Sequence, residues 1–278
     1  MWGSAFMFMK IGVATVAPAT LAASRIVLAA AILYGLMRAR GLALPLPGRR
    51  WLPFTALGIL GNGLPFFLIA WGQQTIDSAL AGILISAMPL ATMVLAHFLV
   101  AGEHITRHRA LGFAIGFAGV VVLMGPAALT GLGDQALAQA AVLGGALCYA
   151  VNSVLARRTV AADFLVSSTA VLITASITIV PVALLVDYPW RDAPSAGSIA
   201  AIIWLGIGPT ALATILYFRL IAAAGPTFMS NVNYLSPIVA LAAGMLLMGE
   251  RPGPTAVSGL LLILCGIALS RRTTTKRA

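Results

Sequence analysis

The chain is 278 residues long, with 60% hydrophobic and 9% charged residues. A soluble domain carries about 25% charged residues, so this composition and a mean hydropathy of +1.01 exclude a soluble globule and point to a polytopic membrane protein. The formal net charge of +10 does not imply nucleic acid as a partner, because the basic residues sit in short connections and at the C-terminus, where they act as topology determinants.

Only a helical bundle satisfies so many apolar segments in lipid, since a barrel would show short alternating strands. Ten helices are predicted, at residues 2–16, 18–37, 51–70, 78–101, 110–124, 136–156, 164–186, 199–221, 227–248 and 255–270. Crossing takes about 20 residues, so the first, fifth and tenth are marginal. The opening MWGSAFMFMK lacks the basic n-region of a secretory leader, and its one charge, Lys10, lies inside the apolar run. Proline-glycine turns support the boundaries: GLALPLPGRR at 41–50, GPAALTGLGD at 125–134, YPWRDAPSAG at 188–197 and ERPGP at 250–254.

The charges follow this count. Arg38, Arg40, Arg49 and Arg50, then Arg107 and Arg109, Arg157 and Arg158, Arg219, and the tail Arg271, Arg272, Lys276 and Arg277 all fall on one side. The other side receives Arg191 and Arg251 with Asp77, Asp134, Asp187, Asp192 and Glu250. That bias predicts both termini in the cytoplasm.

Two stretches repeat. SAMPLATMVLAHFLVAGE ends at Glu103 and NYLSPIVALAAGMLLMGE at Glu250, with Pro89 matching Pro237 after one residue of slippage. Beyond the glutamates, Gly112 and Gly119 match Gly259 and Gly266 at spacings of nine and then seven in both. The expected architecture is all-α: ten transmembrane helices in two inverted-topology five-helix repeats, at 1–125 and 136–270, with a basic tail at 271–278. An odd number of helices per repeat sends the halves into the membrane in opposite senses, a plan common among secondary transporters.

The chain also resembles the EamA family of the drug/metabolite transporter superfamily, ten-helix bacterial permeases built from two such repeats. The resemblance rests on WGSAFMFMK at 2–10, PATLAASRIVLAA at 18–30, ALAGILISAMPLATMVLAHFLVAGE and SPIVALAAGMLLMGE. It implies a multi-pass protein of the bacterial cytoplasmic (inner) membrane with both termini inside. It also implies export of amino acids or related metabolites, with proton coupling left open. Family members carry apolar residues before the WG pair. A first helix of 2–16 is about 22 Å long, less than the ~30 Å hydrocarbon core. Either a few residues precede Met1, which is the simpler expectation, or the helix is short and the bilayer thins locally.

Several residues are substrate-pathway candidates. Arg25 lies about seven residues into helix two, where a charge is expensive and often functional. It could hold a carboxylate, pair with a helix-end carbonyl, or snorkel to the outer face. Lys10 is similar. With no acidic residue in a helix core, an anionic or zwitterionic substrate suits these cations. In helix three, Asn62 lies between glycines and before Pro65, which predicts a kink, and Phe66 and Trp71 are candidate aromatic walls, Trp71 alternatively an interfacial anchor.

Ser86 stands near the helix-breaking Pro89. Tyr149 and Asn152 share a face of helix six, and Pro209 is expected to kink helix eight, which also carries Tyr217 and Trp204. In TFMSNVNYLSP, Ser230, Asn233, Tyr234 and Pro237 share one face of helix nine, lining a cavity or joining helices. Gly112 and Gly116 form a small-residue pattern for close packing or oligomer contact, so a monomer or weak homo-oligomer is expected.

No metal site or cofactor is expected. His104 and His108 are four apart but lack further ligands, and His97 is at most a proton-path group. Cys148 and Cys265 are expected to be buried structural thiols. LGILGNG lies inside an apolar helix and is no nucleotide cradle. The leading reading is a secondary transporter of small organic metabolites working with membrane lipid and no nucleic acid, not an enzyme. The alternatives are an exporter of amphipathic drugs or cations, and a membrane assembly protein without transport.

Overall fold

In the computed structural model, residues 2–76, 78–102, 104–124, 135–159, 163–191, 193–230 and 254–271 are described, and every regular element among them is helical. In chain order these are α1 (Trp2–Gly12), α2 (Pro18–Ala39), α3 (Trp51–Gly72), α4 (Ser78–Ile85), α5 (Met88–Leu99) and α6 (Arg107–Met124). Then come α7 (Ala136–Thr159), α8 (Phe164–Val186), α9 (Ala196–Ala224), α10 (Pro226–Ser230) and α11 (Pro254–Arg271). Among the described residues, six stretches are long and apolar enough to cross a membrane: α2, α3, Leu80–Leu99 across α4 and α5, α7, α8 and α9. Phe98, Leu137, Ile177 and Leu185 stand exposed around the bundle. In water such a surface would be a liability; in lipid it is the contact surface. The chain is a multi-pass membrane protein.

The ends are set by caps. Pro18 starts α2 in the position that needs no N–H. Ala17 offers no side-chain cap, and the Thr20 N–H instead donates to Asp187 Oδ2 at 2.6 Å, from just beyond the far end of α8. Asp163 caps α8 through the Leu165 and Val166 N–H groups at 2.7 and 3.1 Å. Gly41, at φ +70, lets the chain leave α2.

The structure departs from the predicted boundaries in several places. The first helix ends at Gly12 rather than residue 16. The fourth is broken at Ser86 and Ala87, because Pro89 at the start of α5 cannot donate back to Ile85. Arg107 and Arg109 lie inside α6, and Arg157 and Arg158 inside α7, rather than in the connections. The extra turn of α7 is held from outside: Arg157 Nη1 donates to the Ile221 and Ala222 carbonyls at 3.0 and 2.9 Å, near the end of α9. Cys265 is exposed and Cys148 half-buried, so neither is the buried thiol expected.

Helices of the first half pack on those of the second: α2 on α8, α6 on α11, the end of α3 on α7, and α1 on the start of α9. Glycines make the approaches close. A Cβ on Gly112 would lie 2.6 Å from the Gly266 carbonyl oxygen, and one on Gly119 would lie 2.7 Å from Ile263 N. The small-residue pattern of α6 is therefore filled within the chain, by α11.

Candidate functional site

Two helices lose their α geometry in mid-course, and both losses face the bundle centre. In α3, Ile59–Gly63 winds as a π-helix, with the Leu64 N–H bonded to the Ile59 carbonyl. In α9, Gly206–Leu212 does the same around Pro209. Such turns recur at functional sites. Pro209 has no N–H for the Leu205 carbonyl, and the Thr210 hydroxyl donates to that carbonyl at 2.7 Å instead. The Thr210 oxygen is thereby oriented to accept from Arg25 Nε at 3.0 Å.

Arg25 does not snorkel. It is only 2% exposed, with its guanidinium carbon 3.9 Å from the centroid of the Phe66 ring. The ring face and the hydroxyl stabilise the charge. Its Nη1 is buried and has no partner among the described residues. The Phe66 ring meets Tyr149 edge-on at 6.4 Å between centroids. One turn along α7, Asn152 Nδ2 donates to the Tyr217 hydroxyl at 2.6 Å.

These groups wall a cavity with about 920 Å³ of empty space, part of it open to solvent. Its apolar faces come from Phe6 and Met9 of α1, Ile85 and Met88 at the α4–α5 break, Val171 of α8, Phe218 of α9 and Met229 of α10. Arg25, Asn62, Tyr149, Asn152, Thr214 and Tyr217 bring the polar atoms, and no described carboxylate lines it. Both halves of the chain contribute.

Of the sequence candidates, Arg25, Asn62, Phe66, Tyr149, Asn152 and Pro209 meet at this wall. Others do not. The Lys10 ammonium closes the end of α3, donating to the Gln73 and Ile76 carbonyls at 2.7 and 3.0 Å. The Ser86 hydroxyl turns to its own helix, at 2.6 Å from the Ile83 carbonyl, and Pro89 breaks the helix beside the wall without joining it. His97 Nδ1 accepts the Ile105 N–H beyond the end of α5. Trp204 faces outward, donating to Ser4 Oγ at 3.1 Å, and Trp71 packs in an apolar cluster beside the cavity. Ser230 ends α10, while Asn233, Tyr234 and Pro237 lie outside the described residues.

The sequence model of the EamA-like transporter family matches residues 1–125 and again 136–272. The chain belongs to that family. Several relatives of this EamA-family chain carry transporter or exporter names. A protein of Streptantibioticus cattleyicolor named "probable terminal-alkyne amino-acid exporter" is 29% identical over 283 residues, covering 99% of this chain and 91% of its own. The uncharacterized inner membrane transporter YedA of Escherichia coli K12 is 25% identical over 253 residues, covering 90% of this chain and 80% of its own. PecM of Dickeya dadantii is 25% identical over 239 residues, covering 84% and 78%. A crystal structure superimposes with a TM-score of 0.76 at 20% identity, covering 96% of this chain and 95% of that one, which shows a shared fold. The EamA chain is a membrane transporter.

Sequence reasoning missed Thr210, Met9, Met88 and Gly61. Thr210 had a signal: a hydroxyl directly after a proline in an apolar helix can reach the carbonyl that the proline leaves unserved. The methionines had none, because an apolar residue on a cavity wall reads like one facing lipid.

Proposed function

We propose that the protein is a secondary transporter exporting small organic metabolites, such as amino acids, across the bacterial cytoplasmic membrane. In this reading ten helices form two inverted repeats, 1–125 and 136–270, with both termini and the basic tail 271–278 in the cytoplasm. The repeats rock about the central cavity, which opens to each side in turn. The family model matching twice supports the duplication. The packing fits two related repeats: α2 on α8 and α6 on α11 pair like with like, and α1 on α9 answers α7 on α3.

The observation that carries the substrate reading is the unpartnered Nη1 of Arg25 in a wall without described carboxylates. A buried charged donor favours a carboxylate that replaces its hydration. The relative named for amino-acid export agrees with this class. The aromatic rings of Phe6, Phe66, Tyr149 and Phe218 favour a second reading, amphipathic cations. Arg25 opposes it by like-charge repulsion.

Counterflow in proteoliposomes tests the function. Vesicles holding purified protein are loaded with unlabelled amino-acid mixtures and exposed to labelled ones. Transient accumulation of label above protein-free vesicles is expected. Absence of flux for amino acids, organic acids, sugars, nucleobases and cationic dyes alike would remove the transport reading. An imposed pH gradient in the same vesicles measures proton coupling.

A further inference from the structure

Asn152, which lines the cavity, carries a second unpartnered polar atom. The residue is 6% exposed, and its Oδ1 is buried with no partner among the described residues. A buried carbonyl without a donor is rare in folded proteins.

The surrounding hydrogen bonds fit an amide whose oxygen end is free. The Tyr149 carbonyl can only accept, so the single Ser153 hydroxyl proton is committed to it, at 2.9 Å. Ser153 Oγ is then open to accept from the Tyr217 hydroxyl, across a long 3.4 Å. With its proton used, the Tyr217 oxygen can only accept, so the nitrogen of the Asn152 amide faces it at 2.6 Å. That orientation leaves Oδ1 as the unused acceptor.

Gly61 holds the amide from the other side. A Cβ there would lie 2.7 Å from Oδ1 and 2.8 Å from Cγ and Nδ2, so the amide lies against bare backbone in the π turn of α3. Tyr217 and Gly61 therefore act as positioning residues for one carbonyl oxygen.

We propose that Asn152 determines specificity: its Oδ1 accepts a hydrogen bond from an N–H donor on the substrate while Arg25 Nη1 holds an anionic group. The ligand class is a small carboxylate that also bears an amino N–H. The inference rests on the transport reading and adds a requirement that Arg25 alone does not impose. A keto oxygen in place of the amino group leaves Oδ1 facing another acceptor.

The test compares amino acids with 2-oxo acids of the same carbon skeleton, by counterflow and by equilibrium binding to purified protein in lipid nanodiscs. The unsubstituted protein should prefer the amino form by at least about tenfold, because a site built around a hydrogen bond rejects the analogue that lacks it. Asn152→Leu keeps the side-chain size and removes the acceptor. It should lower amino-acid binding about tenfold or more, leave 2-oxo-acid binding unchanged, and so abolish the preference. Gly61→Ala, which displaces the amide without touching its chemistry, should shrink the preference in the same direction. Arg25→Ala should weaken both ligands together.

Equal loss of both ligands in Asn152→Leu, or a preference that survives it, would overturn the proposal. Should Asn152→Leu fail to fold, Gly61→Ala and Tyr217→Phe decide by the same ratio. Amino-acid binding with the predicted ratio but no flux would overturn the transport reading and leave the role of Asn152 standing. Neither binding nor flux for any ligand would remove both.

Discussion

Arg25 and Lys10 are both cations inside apolar runs, yet the fold gives them different work. Lys10 places its ammonium on two carbonyls of the turn that follows α3, whereas Arg25 keeps one nitrogen unpartnered at the cavity. Arg25→Lys should therefore not be conservative. It loses the planar stack on Phe66 and the fixed bond from Nε to Thr210, and counterflow of carboxylate substrates should fall about tenfold or more, ~1.4 kcal/mol or above, in a protein that still elutes as a single species. Full activity in Arg25→Lys would show that the fork geometry is dispensable. Thr210→Val removes both the donor to the Leu205 carbonyl and the acceptor for Arg25. It should destabilise the protein by about 1–3 kcal/mol, read as a lower melting temperature in detergent. Arg25 was legible because a charge at that depth is costly wherever it points. Thr210 was passed over, since its one signal, the proline directly before it, does not say that the hydroxyl also meets Arg25.

At the level of helices, proline and glycine acted as the sequence suggested, with different geometry. Asn62 between glycines and before Pro65 gave a π turn rather than a simple bend. The fourth helix broke into two pieces at Ser86 and Ala87. Whether a helix absorbs a proline as a bend, a π turn or a break depends on what can serve the freed carbonyls, and that is a property of the neighbours. The repeated glycines show the same dependence. Gly112 and Gly266 face one another across α6 and α11 with no room for a side chain. Gly112→Leu should cost about 1–3 kcal/mol or more through overpacking and lower the yield of folded protein, whereas leucine at the open Gly35 should be tolerated. Equal yields from both variants would mean that the two helices separate without penalty.

Across the whole molecule, α1 is tied to the second half at one end of the bundle. Thr15 Oγ1 lies 2.7 Å from Ser198 Oγ, and Ser198 Oγ also donates to the Ile11 and Gly12 carbonyls, both at 3.2 Å. Alternating access requires the halves to separate at each end in turn. A cysteine pair at Thr15 and Ser198, with Cys148 and Cys265 replaced by serine, should therefore arrest counterflow on oxidation and recover it on reduction. Undiminished flux in the crosslinked protein would exclude movement of α1 against α9 at this end.

Composition and apolar run length determined on their own that the chain is a helical membrane protein, because lipid leaves no other way to satisfy this much apolar backbone. The sequence also located α8 to the residue, at 164–186, because it lies between an aspartate that caps its start and a polar loop. Arg25 stood out for the reason already given. Only the tertiary structure decided which polar groups share a cavity. Helical periodicity places side chains on a face of their own helix but is silent on what that face meets. Lys10 met the end of α3, Ser86 met its own backbone, and Asn152 met Gly61 and Tyr217. The difference between a capped helix, a satisfied hydroxyl and a free acceptor lies in the partner that the fold supplies.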